Sequence, residues 1–449
     1  RGKYDNIDHH ESGSPELAID GDIKGTIEDE SKEGEVTHFQ ALATAVSGTV
    51  GNGNIAGVAL AIALGGPGAT FWMIVCGLLG MSTKFVECTL GVQYRDVDEE
   101  GTVYGGPMYY ISKGLKERGF VMLGKIAAIL FAIFCIGGSF GGGNAAQSNQ
   151  ATIVIKDLLG IESTSAGAII GIVLAILVGV IIIGGIKRIA SVTEKIVPLM
   201  ALLYILACFY ILAINFSYID DAISLIIKEA FNPTAIGVGG IIGVLMVGFK
   251  RAAFSNEAGA GSASIAHSAV KTKYSASEGL VALLEPFIDT VVICTMTALV
   301  IIIFNFGGDA SGATIFQYGG DGAGAVLIDG VSYEGAGITS KAFAQYIPYS
   351  NVFLTVAVVL FAVSTMISWS YYGLQSWKFL FGRGKAADMA YKLLFLLFVI
   401  IGASASMNSI WAFSDAMIFA MVFPNMVGLY FLFPVVKKQL NRYIEAIKS

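Results

Sequence analysis

Apolar stretches of 18 or more residues with almost no charge recur along the whole of this 449-residue chain. A helix of that length crosses the hydrocarbon core of a bilayer, which is about 30 Å thick. Only 14% of the residues are charged, against about 25% in soluble domains. The sequence therefore predicts an all-α polytopic membrane protein.

We predict ten membrane spans from these stretches. They cover residues 39–64, 69–94, 121–153, 165–187, 192–218, 235–268, 279–306, 350–380, 388–406 and 410–436. Around them we expect an acidic tail (1–38), an amphipathic surface helix (220–231), a long Gly- and Asp-rich loop (307–349) and a basic tail (437–449). Residues 39–436 thus form one transmembrane domain, made of two repeats at about 39–218 and about 235–406 or 235–436.

Lysine and arginine are concentrated in alternate loops. These loops hold Arg95, Lys113, Lys116, Arg118, Lys187, Arg188, Lys195, Lys271, Lys273, Lys378, Arg383, Lys385, Lys437, Lys438 and Arg442. Cytoplasmic loops carry such an excess of basic residues. The sequence therefore predicts a multi-pass protein of the plasma membrane, with both ends of this chain in the cytoplasm.

The first predicted span is interrupted by SGTVGNGNIAG (47–57). Glycine permits the backbone to unwind, and unwound backbone is tolerated inside a membrane only where it lines a protein cavity. Close packing between helices would explain Gly53 and Gly57 equally well. It does not explain Asn52 and Asn54, because polar side chains are costly at that depth. We therefore interpret the interruption as part of a binding site.

The sixth predicted span is interrupted in the same way. GFKRAAFSNEAGAGSASIAHSA (248–269) places charged and amide side chains among small residues, with apolar helix on both sides. Interruptions at corresponding positions of two halves are typical of inverted-repeat transporters, which bind substrate and ions at the broken helices. The first and sixth of ten spans are such positions in a five-plus-five arrangement.

Several motifs resemble the alanine or glycine:cation symporter family, the sodium–alanine carriers of the amino acid–polyamine–organocation superfamily. They are HFQALATAVSGTVGNGNIAGVALAIALGGPGATFW (38–72), GGPMYYI (105–111), FSNEAGAGSA (254–263), FIDTVVICTMTALV (287–300), STMISWSYYG (364–373) and MVFPNMVGLYFL (421–432). The resemblance runs from about residue 34 to the C-terminus. It implies the five-plus-five inverted-repeat fold (LeuT-like) with discontinuous spans 1 and 6, and sodium-driven uptake of small neutral amino acids.

The chain departs from the family pattern in two motifs. Asn52 stands where the family usually has threonine, and Ala252 stands where it usually has glycine after the arginine. Members of the family also usually carry one more apolar span before the acidic segment. We therefore expect this chain to be a trimmed or partial product.

The resemblance and the position of the interruptions give a set of candidate site residues. Asn54 and the backbone of Gly51 and Gly53 are expected to hold the substrate carboxylate, and Gln147 its ammonium group. Gln147 could instead form a hydrogen bond between helices. The complete set for the substrate is Gly51, Gly53, Asn54, Gln147, Phe254, Ser255, Asn256, Thr365 and Trp369.

Sodium is expected at the hydroxyls of Ser364 and Thr365 with backbone carbonyls from the break of span 1, because a hard cation prefers oxygen ligands. Trp369 lies one helical turn beyond Thr365 and is expected to limit the size of the substrate side chain, unless it is simply a core aromatic residue. No resident cofactor is expected, and sodium is the coupling ion. The expected partners are the amino acid, sodium and membrane lipid, with neither ATP nor nucleic acid.

Buried charges leave further roles open. Lys84 and Glu87 are spaced to pair with each other or with neighbours. Asp415 is expected to be structural, whereas Glu257 and Asp289 could be structural or belong to an ion path. None of the four histidines, His9, His10, His38 and His267, is expected at mid-membrane depth, which disfavours a histidine proton relay.

Three other functions compete with sodium-coupled symport. Proton coupling on the same fold would require Glu257 or Asp289 to titrate. An intramembrane enzyme would need a motif such as HExxH, which the chain lacks. A channel is disfavoured because no filter-like repeat occurs. The sequence therefore favours a symporter, which is not an enzyme.

Overall fold

The computed structural model describes residues 34–163, 165–233, 239–306, 314–319, 322 and 324–448. Within them, ten helical spans follow one another in chain order. They are His38–Thr49 with Gly53–Gly65 (span 1), Gly68–Gln93 (span 2), Val121–Leu159 (span 3), Ser165–Ile182 (span 4), Gly185–Ile214 (span 5), Gly240–Asn256 with Ala263–His267 (span 6), Ser275–Asn305 (span 7), Ser350–Phe381 (span 8), Lys385–Ser404 (span 9) and Met407–Lys448 (span 10). We call the face at which span 1 begins and span 10 ends the N-terminal face.

Most of these spans are long and apolar enough to cross a membrane. In the part of the chain that the structure describes, eight single helices meet this condition, and the bent span 1 makes a ninth. The two halves of span 6, with 17 and 5 residues, are each too short. Large apolar side chains such as Ile169, Val173 and Ile176 on span 4 lie more than 60% exposed, which is the surface expected of helices that face lipid.

Span 1 is broken where the sequence predicts it. The side chains of Thr37 and Gln40 cap its first half reciprocally, which is a capping box. The helix ends at Thr49, and the chain resumes in a wide π-helical turn over Gly53–Gly57, so that the two halves meet at 48°. A Cβ at Gly51 would lie 2.4 Å from the Thr365 hydroxyl oxygen. Only glycine therefore permits the approach of span 8.

Span 6 is broken by residues in the left-handed region. Its first half ends at Asn256, and Glu257 follows with φ 56°. Gly259 and Gly261 continue the break with φ 90° and 83°. Glycine adopts this conformation without penalty, whereas glutamate does so only where its surroundings hold it. Both predicted interruptions are thus present in the fold.

The chain before span 1 is joined to the chain after span 6. Val36 and Val270 form a parallel β-bridge. The Ala269 carbonyl accepts from the N–H groups of Glu35 (2.7 Å) and Val36 (3.1 Å), and the Lys271 N–H donates to the Val36 carbonyl (2.8 Å). The two broken spans are therefore connected at the N-terminal face.

Several short elements were not predicted. Strands β1 (Asp96–Val97) and β2 (Val103–Tyr104) form a hairpin after span 2, and the helix Pro107–Glu117 follows it. The prediction of a loop over 307–349 was wrong for its second part. That part contains the antiparallel strands β3 (Val326–Ile328) and β4 (Val331–Tyr333) and the helix Ala336–Ala344. These elements are too short to show a hydrophobic period of their own.

Several of the predicted boundaries also differ. Span 4 ends at Ile182 and span 5 begins at Gly185, where the sequence predicted 187 and 192. Span 3 continues to Leu159, and span 10 continues through the expected basic tail to Lys448. No glycine or proline ends the helix over 437–448, which explains its continuation.

The surface helix predicted at 220–231 is present as Ile219–Phe231. It packs against span 2, where the Trp72 indole donates to the Ala230 carbonyl at 3.2 Å.

Candidate functional site

Asp289 is the carboxylate at the centre of a polar cluster where spans 1, 6 and 7 meet. The Asn54 amide donates to its Oδ1 (2.6 Å) and to its backbone carbonyl (3.0 Å). The Ser255 hydroxyl donates to Oδ1 at 3.1 Å, and the Thr290 hydroxyl donates to Oδ2 at 2.7 Å. All these donors are neutral, and Asp289 is fully buried. The Asp289 carboxylate therefore accepts hydrogen bonds from neutral groups, and none of these contacts is with a cation.

Gln147 joins spans 1 and 3. Its side-chain oxygen accepts from the Asn52 N–H (3.0 Å), and its amide donates to the Gly142 carbonyl (2.9 Å). The Asn52 amide donates to the Gln147 backbone carbonyl at 3.2 Å. The Asn52 side-chain oxygen is buried without a hydrogen-bond partner. The residue that departs from the family pattern thus supplies a second bond between the two spans.

Spans 1 and 8 meet through oxygen atoms. The Ser47 hydroxyl donates to the Ser364 carbonyl at 2.6 Å, and the Thr365 hydroxyl donates to the Ser47 carbonyl at 3.0 Å. The Ser364 hydroxyl instead bonds back to the Phe361 carbonyl at 3.0 Å. Ser364 therefore presents its carbonyl to span 1, and Thr365 presents its hydroxyl.

Trp369 lies between span 3 and the break of span 6. Its indole N–H donates to Glu257 Oε1 at 2.9 Å, and the Ser262 hydroxyl donates to the other oxygen of Glu257. A Cβ at Gly143 would lie 2.1 Å from Trp369 Cγ. The tryptophan is 1% exposed, so its ring has one position between these neighbours.

An aromatic and charged layer lies on the first half of span 6. Phe254 stacks on Trp411 of span 10 with ring centroids 5.0 Å apart, and the Arg251 guanidinium lies 5.4 Å from each centroid. Arg251 and Lys250 both form ion pairs with Asp415. The Phe254 ring also faces Gly142 of span 3, where an added Cβ would lie 3.4 Å from its Cζ. This layer accounts for the expected structural role of Asp415.

A buried ionic network lies toward the N-terminal face. Lys84 pairs with Glu285 at 3.0 Å rather than with Glu87, which accepts from the Asn425 amide at 2.7 Å. His38 and His267 both contact Glu278. The sequence did not predict the burial of these histidines. Their shared partner Glu278 lies 11 positions from His267 and 240 positions from His38, beyond the range of a local pattern.

The candidate site residues are all buried within the bundle. None is more than 5% exposed among those with side chains: Asn54, Gln147, Phe254, Ser255, Asn256, Ser364, Thr365 and Trp369. The break of span 1 brings Gly51 against Gln147 and Thr365, and Gly53 against Ser255. Asn256 bonds to Thr290 at 2.9 Å. Their roles in binding stay predictions.

Sequence reasoning left the role of Asp289 open between a structural group and part of an ion path. The sequence signal that marks Asp289 is a lone carboxylate in the apolar stretch FIDTVVIC. In the structure this stretch, Phe287–Cys294, is a π-helical turn of span 7. Similar wide turns occur at Gly53–Gly57 and Gly141–Ala145. Such turns are frequent at functional sites. All three lie at or beside the polar contacts described above.

Two broken spans that meet at a buried polar centre define a secondary transporter built from inverted repeats. The chain belongs to the sodium:alanine symporter family, whose model matches residues 19–449. It is accordingly a multi-pass membrane transporter and not an enzyme, which confirms the class predicted from the sequence.

Individual proteins agree with this assignment. The chain is 41% identical to the sodium/alanine symporter AgcS of Methanococcus maripaludis, over 94% of this chain and 87% of that protein. It is 32% identical to the probable sodium/glutamine symporter GlnT of Bacillus subtilis, over 92% and 80%. The crystal structure of MhsT in complex with L-phenylalanine has a TM-score of 0.51 at 13% identity, over 91% of this chain and 99% of that one. The predicted LeuT-like fold is thereby confirmed.

Proposed function

We propose that this protein is a sodium-coupled symporter that imports alanine, glycine or a similar small neutral amino acid by alternating access. Membership of the family and the similarity to AgcS support this proposal. The observation that carries it is the Asp289 cluster, a fully buried carboxylate whose hydrogen-bond donors are all neutral. A buried carboxylate of this kind favours a cation beside it.

The substrate carboxylate is assigned to the break of span 1. The second half of that span begins there, and a helix N-terminus favours negative charge. Gly51, Gly53 and Asn54 would hold the carboxylate, and Gln147 the ammonium group. Phe254, Ser255 and Asn256 of span 6, with Thr365 and Trp369 of span 8, would enclose the side chain.

Sodium is assigned to two sets of oxygen atoms. The first set is the carbonyl of Ser47, the carbonyl of Ser364 and the hydroxyl of Thr365. The Thr365 hydroxyl donates to the Ser47 carbonyl at 3.0 Å, and the Ser364 carbonyl accepts from the Ser47 hydroxyl at 2.6 Å. The second set is the carboxylate of Asp289 with the Ser255 hydroxyl. Both sets satisfy the preference of a hard cation for oxygen.

Uptake into proteoliposomes tests the function. Labelled alanine should accumulate with an inward sodium gradient and not with an equal potassium gradient. Unlabelled glycine and serine should compete, and glutamine should be included because one relative is named as a glutamine symporter. Accumulation that follows a proton gradient and ignores sodium would overturn sodium coupling.

Two pairs of variants test the sodium ligands. Thr365→Ala should raise the sodium concentration for half-maximal uptake by about one to two decades, since a bond to a charged group is worth about 1.5–3 kcal/mol. Ser364→Ala is the matched control, because its hydroxyl contacts only its own helix. Asp289→Asn should raise this sodium concentration at least as much. Asp221→Asn, at an exposed position of the helix Ile219–Phe231, should not change it. Unchanged sodium dependence in Thr365→Ala and Asp289→Asn alike would refute both sets.

We further propose that the protein lies in the plasma membrane and that its N-terminal face is on the cytoplasmic side. The loops rich in lysine and arginine support this orientation. Lipid would cover the exposed apolar side chains of the outer spans.

A further inference from the structure

Glu257 is a buried carboxylate inside the break of span 6. It is 3% exposed, and its backbone has φ 56°, a conformation that glutamate adopts only where its surroundings hold it. Its Oε1 accepts from the Trp369 indole at 2.9 Å, and its Oε2 accepts from the Ser262 hydroxyl. The side chain therefore links the end of the first half of span 6 to span 8 and to the residue before the second half.

Span 3 determines the plane of the Trp369 ring. A Cβ at Gly143 would lie 2.1 Å from its Cγ, and a Cβ at Gly138 would lie 3.3 Å from its Cζ3. Tyr372 meets the ring on span 8 with centroids 5.4 Å apart. These neighbours restrict the plane of the ring, but the χ2 torsion of tryptophan has two broad wells. The edge that carries the N–H is therefore selected by the hydrogen bond to Glu257.

The Trp369 ring lies next to residues that are expected to bind the substrate. It lies against the wide turn Gly141–Ala145 of span 3, and Phe254 faces the same turn. Gln147, just after that turn, donates to a carbonyl of the turn at 2.9 Å and accepts from span 1 at 3.0 Å. A different orientation of the indole would therefore alter the space beside Phe254.

We propose that Glu257 is a positioning residue that sets the size selectivity of the transporter by holding the indole of Trp369. The proposal rests on the function proposed above, because the ring limits the substrate only if the amino acid binds beside it. Glu257 acts through the indole N–H and not on the substrate. Without that acceptor the buried N–H loses its partner, which is costly, so other orientations of the ring become comparable in energy. A ring that is not held in one orientation admits larger side chains.

Competition by valine and leucine against labelled alanine tests the proposal. Glu257→Asn is the informative variant, because asparagine tolerates the left-handed backbone but is one methylene too short to keep the bond to Trp369. Valine and leucine should compete about tenfold better than in the parent. Glu257→Asp is equally short and keeps the charge, so it should behave in the same way, and it replaces Glu257→Asn if that variant does not fold.

Glu257→Gln is the matched control. It keeps the length of the side chain and an oxygen acceptor for the indole, and the Ser262 hydroxyl can accept from its amide. The order of competitors should therefore stay parental. A parental order in Glu257→Asn and Glu257→Asp overturns the proposal. So does a change in Glu257→Gln as large as that in Glu257→Asn, because the carboxylate would then act by its charge or its proton.

A double variant shows whether Glu257 acts through the ring. Phenylalanine has no N–H, so Glu257→Asn should change the competition no further when Trp369→Phe is already present. Additive effects of the two substitutions on competition by valine and leucine would overturn the proposal.

Near-ultraviolet circular dichroism of the purified protein separates this proposal from the transport function, because it requires no substrate. A tryptophan held by fixed packing contributes to this spectrum, and the difference between the parent and Trp369→Phe gives the contribution of Trp369. Glu257→Asn should lose most of that contribution, and Glu257→Gln should retain it. If alanine is not transported, the substrate assignment fails and the spectrum judges the contact alone. An unchanged contribution in Glu257→Asn would refute the positioning role.

Discussion

Single residues of the site already have partners within the protein. Asn54 bonds to Asp289, and Gln147 bonds to Asn52, so an arriving substrate exchanges hydrogen bonds rather than filling vacant ones. The polar residues could be found in the sequence because amides and carboxylates are rare in apolar spans. Their pairing could not, since Asn54 and Asp289 lie 235 positions apart and no local pattern connects them.

We expect substitution of Trp369 to reduce the selectivity for small substrates. Trp369→Phe removes ring volume and the bond to Glu257, so valine and leucine should compete with alanine about tenfold better, given that one methylene is worth about 1–3 kcal/mol in a pocket. Competition binding across the aliphatic amino acids measures this effect. Trp377→Phe, two turns away and packed on Phe381, should keep the parental order of competitors. If Trp369→Phe also keeps that order, the indole is only a packing residue.

Whole elements were predictable when their hydrophobic pattern was long. The spans and the two breaks follow from apolar length and from glycine and amide residues at their centres. The helix Ala336–Ala344 and its contact with the break of span 1 were not predictable. The helix is too short for a hydrophobic period, and the residues that it contacts are distant in the chain. The Thr339 hydroxyl donates to the Ile55 carbonyl at 3.1 Å, inside the π turn of span 1, and so satisfies a polar group at the break.

The break of span 6 should be sensitive to the loss of a single glycine. Gly261 has φ 83°, and a Cβ there would lie 2.6 Å from Pro107 Cγ and 3.0 Å from the Asn425 side chain. Gly261→Ala should lower the free energy of unfolding by about 1–3 kcal/mol from backbone strain and by a similar amount from crowding. The Tm of the purified protein reports this change. Gly384→Ala, where φ is −71° and nothing lies within 4 Å, should lower the Tm much less, because it loses only the preference of a helix N-cap for glycine over alanine.

At the scale of the whole molecule, ten spans place the loops alternately on two faces. The hairpin β1–β2 and the helix Pro107–Glu117 lie on the N-terminal face with the basic loops, whereas the helix Ile219–Phe231 lies on the opposite face. The number of spans was sufficient to predict this alternation of the loops. The charge of the loops predicts which face is cytoplasmic. The packing of the spans depends on side-chain shape and was not accessible in this way.

Cysteine labelling measures the orientation of the molecule. Lys116 and Asp221 are exposed on opposite faces. In intact cells, a membrane-impermeant maleimide should modify Asp221→Cys and not Lys116→Cys. Both should react after the cells are permeabilised, which shows that each thiol is reachable. The reverse pattern in intact cells would invert the topology.

Because of the β-bridge between Val36 and Val270, a force applied at the start of the described chain is transmitted to two spans. A force that pulls on residue 34 reaches span 1 along the backbone and span 6 through the hydrogen bonds of Ala269 and Lys271. Tension on one short segment therefore loads both broken helices at once. A tether attached there, as in a single-molecule stretching experiment, would act on both broken spans without contacting the candidate site residues.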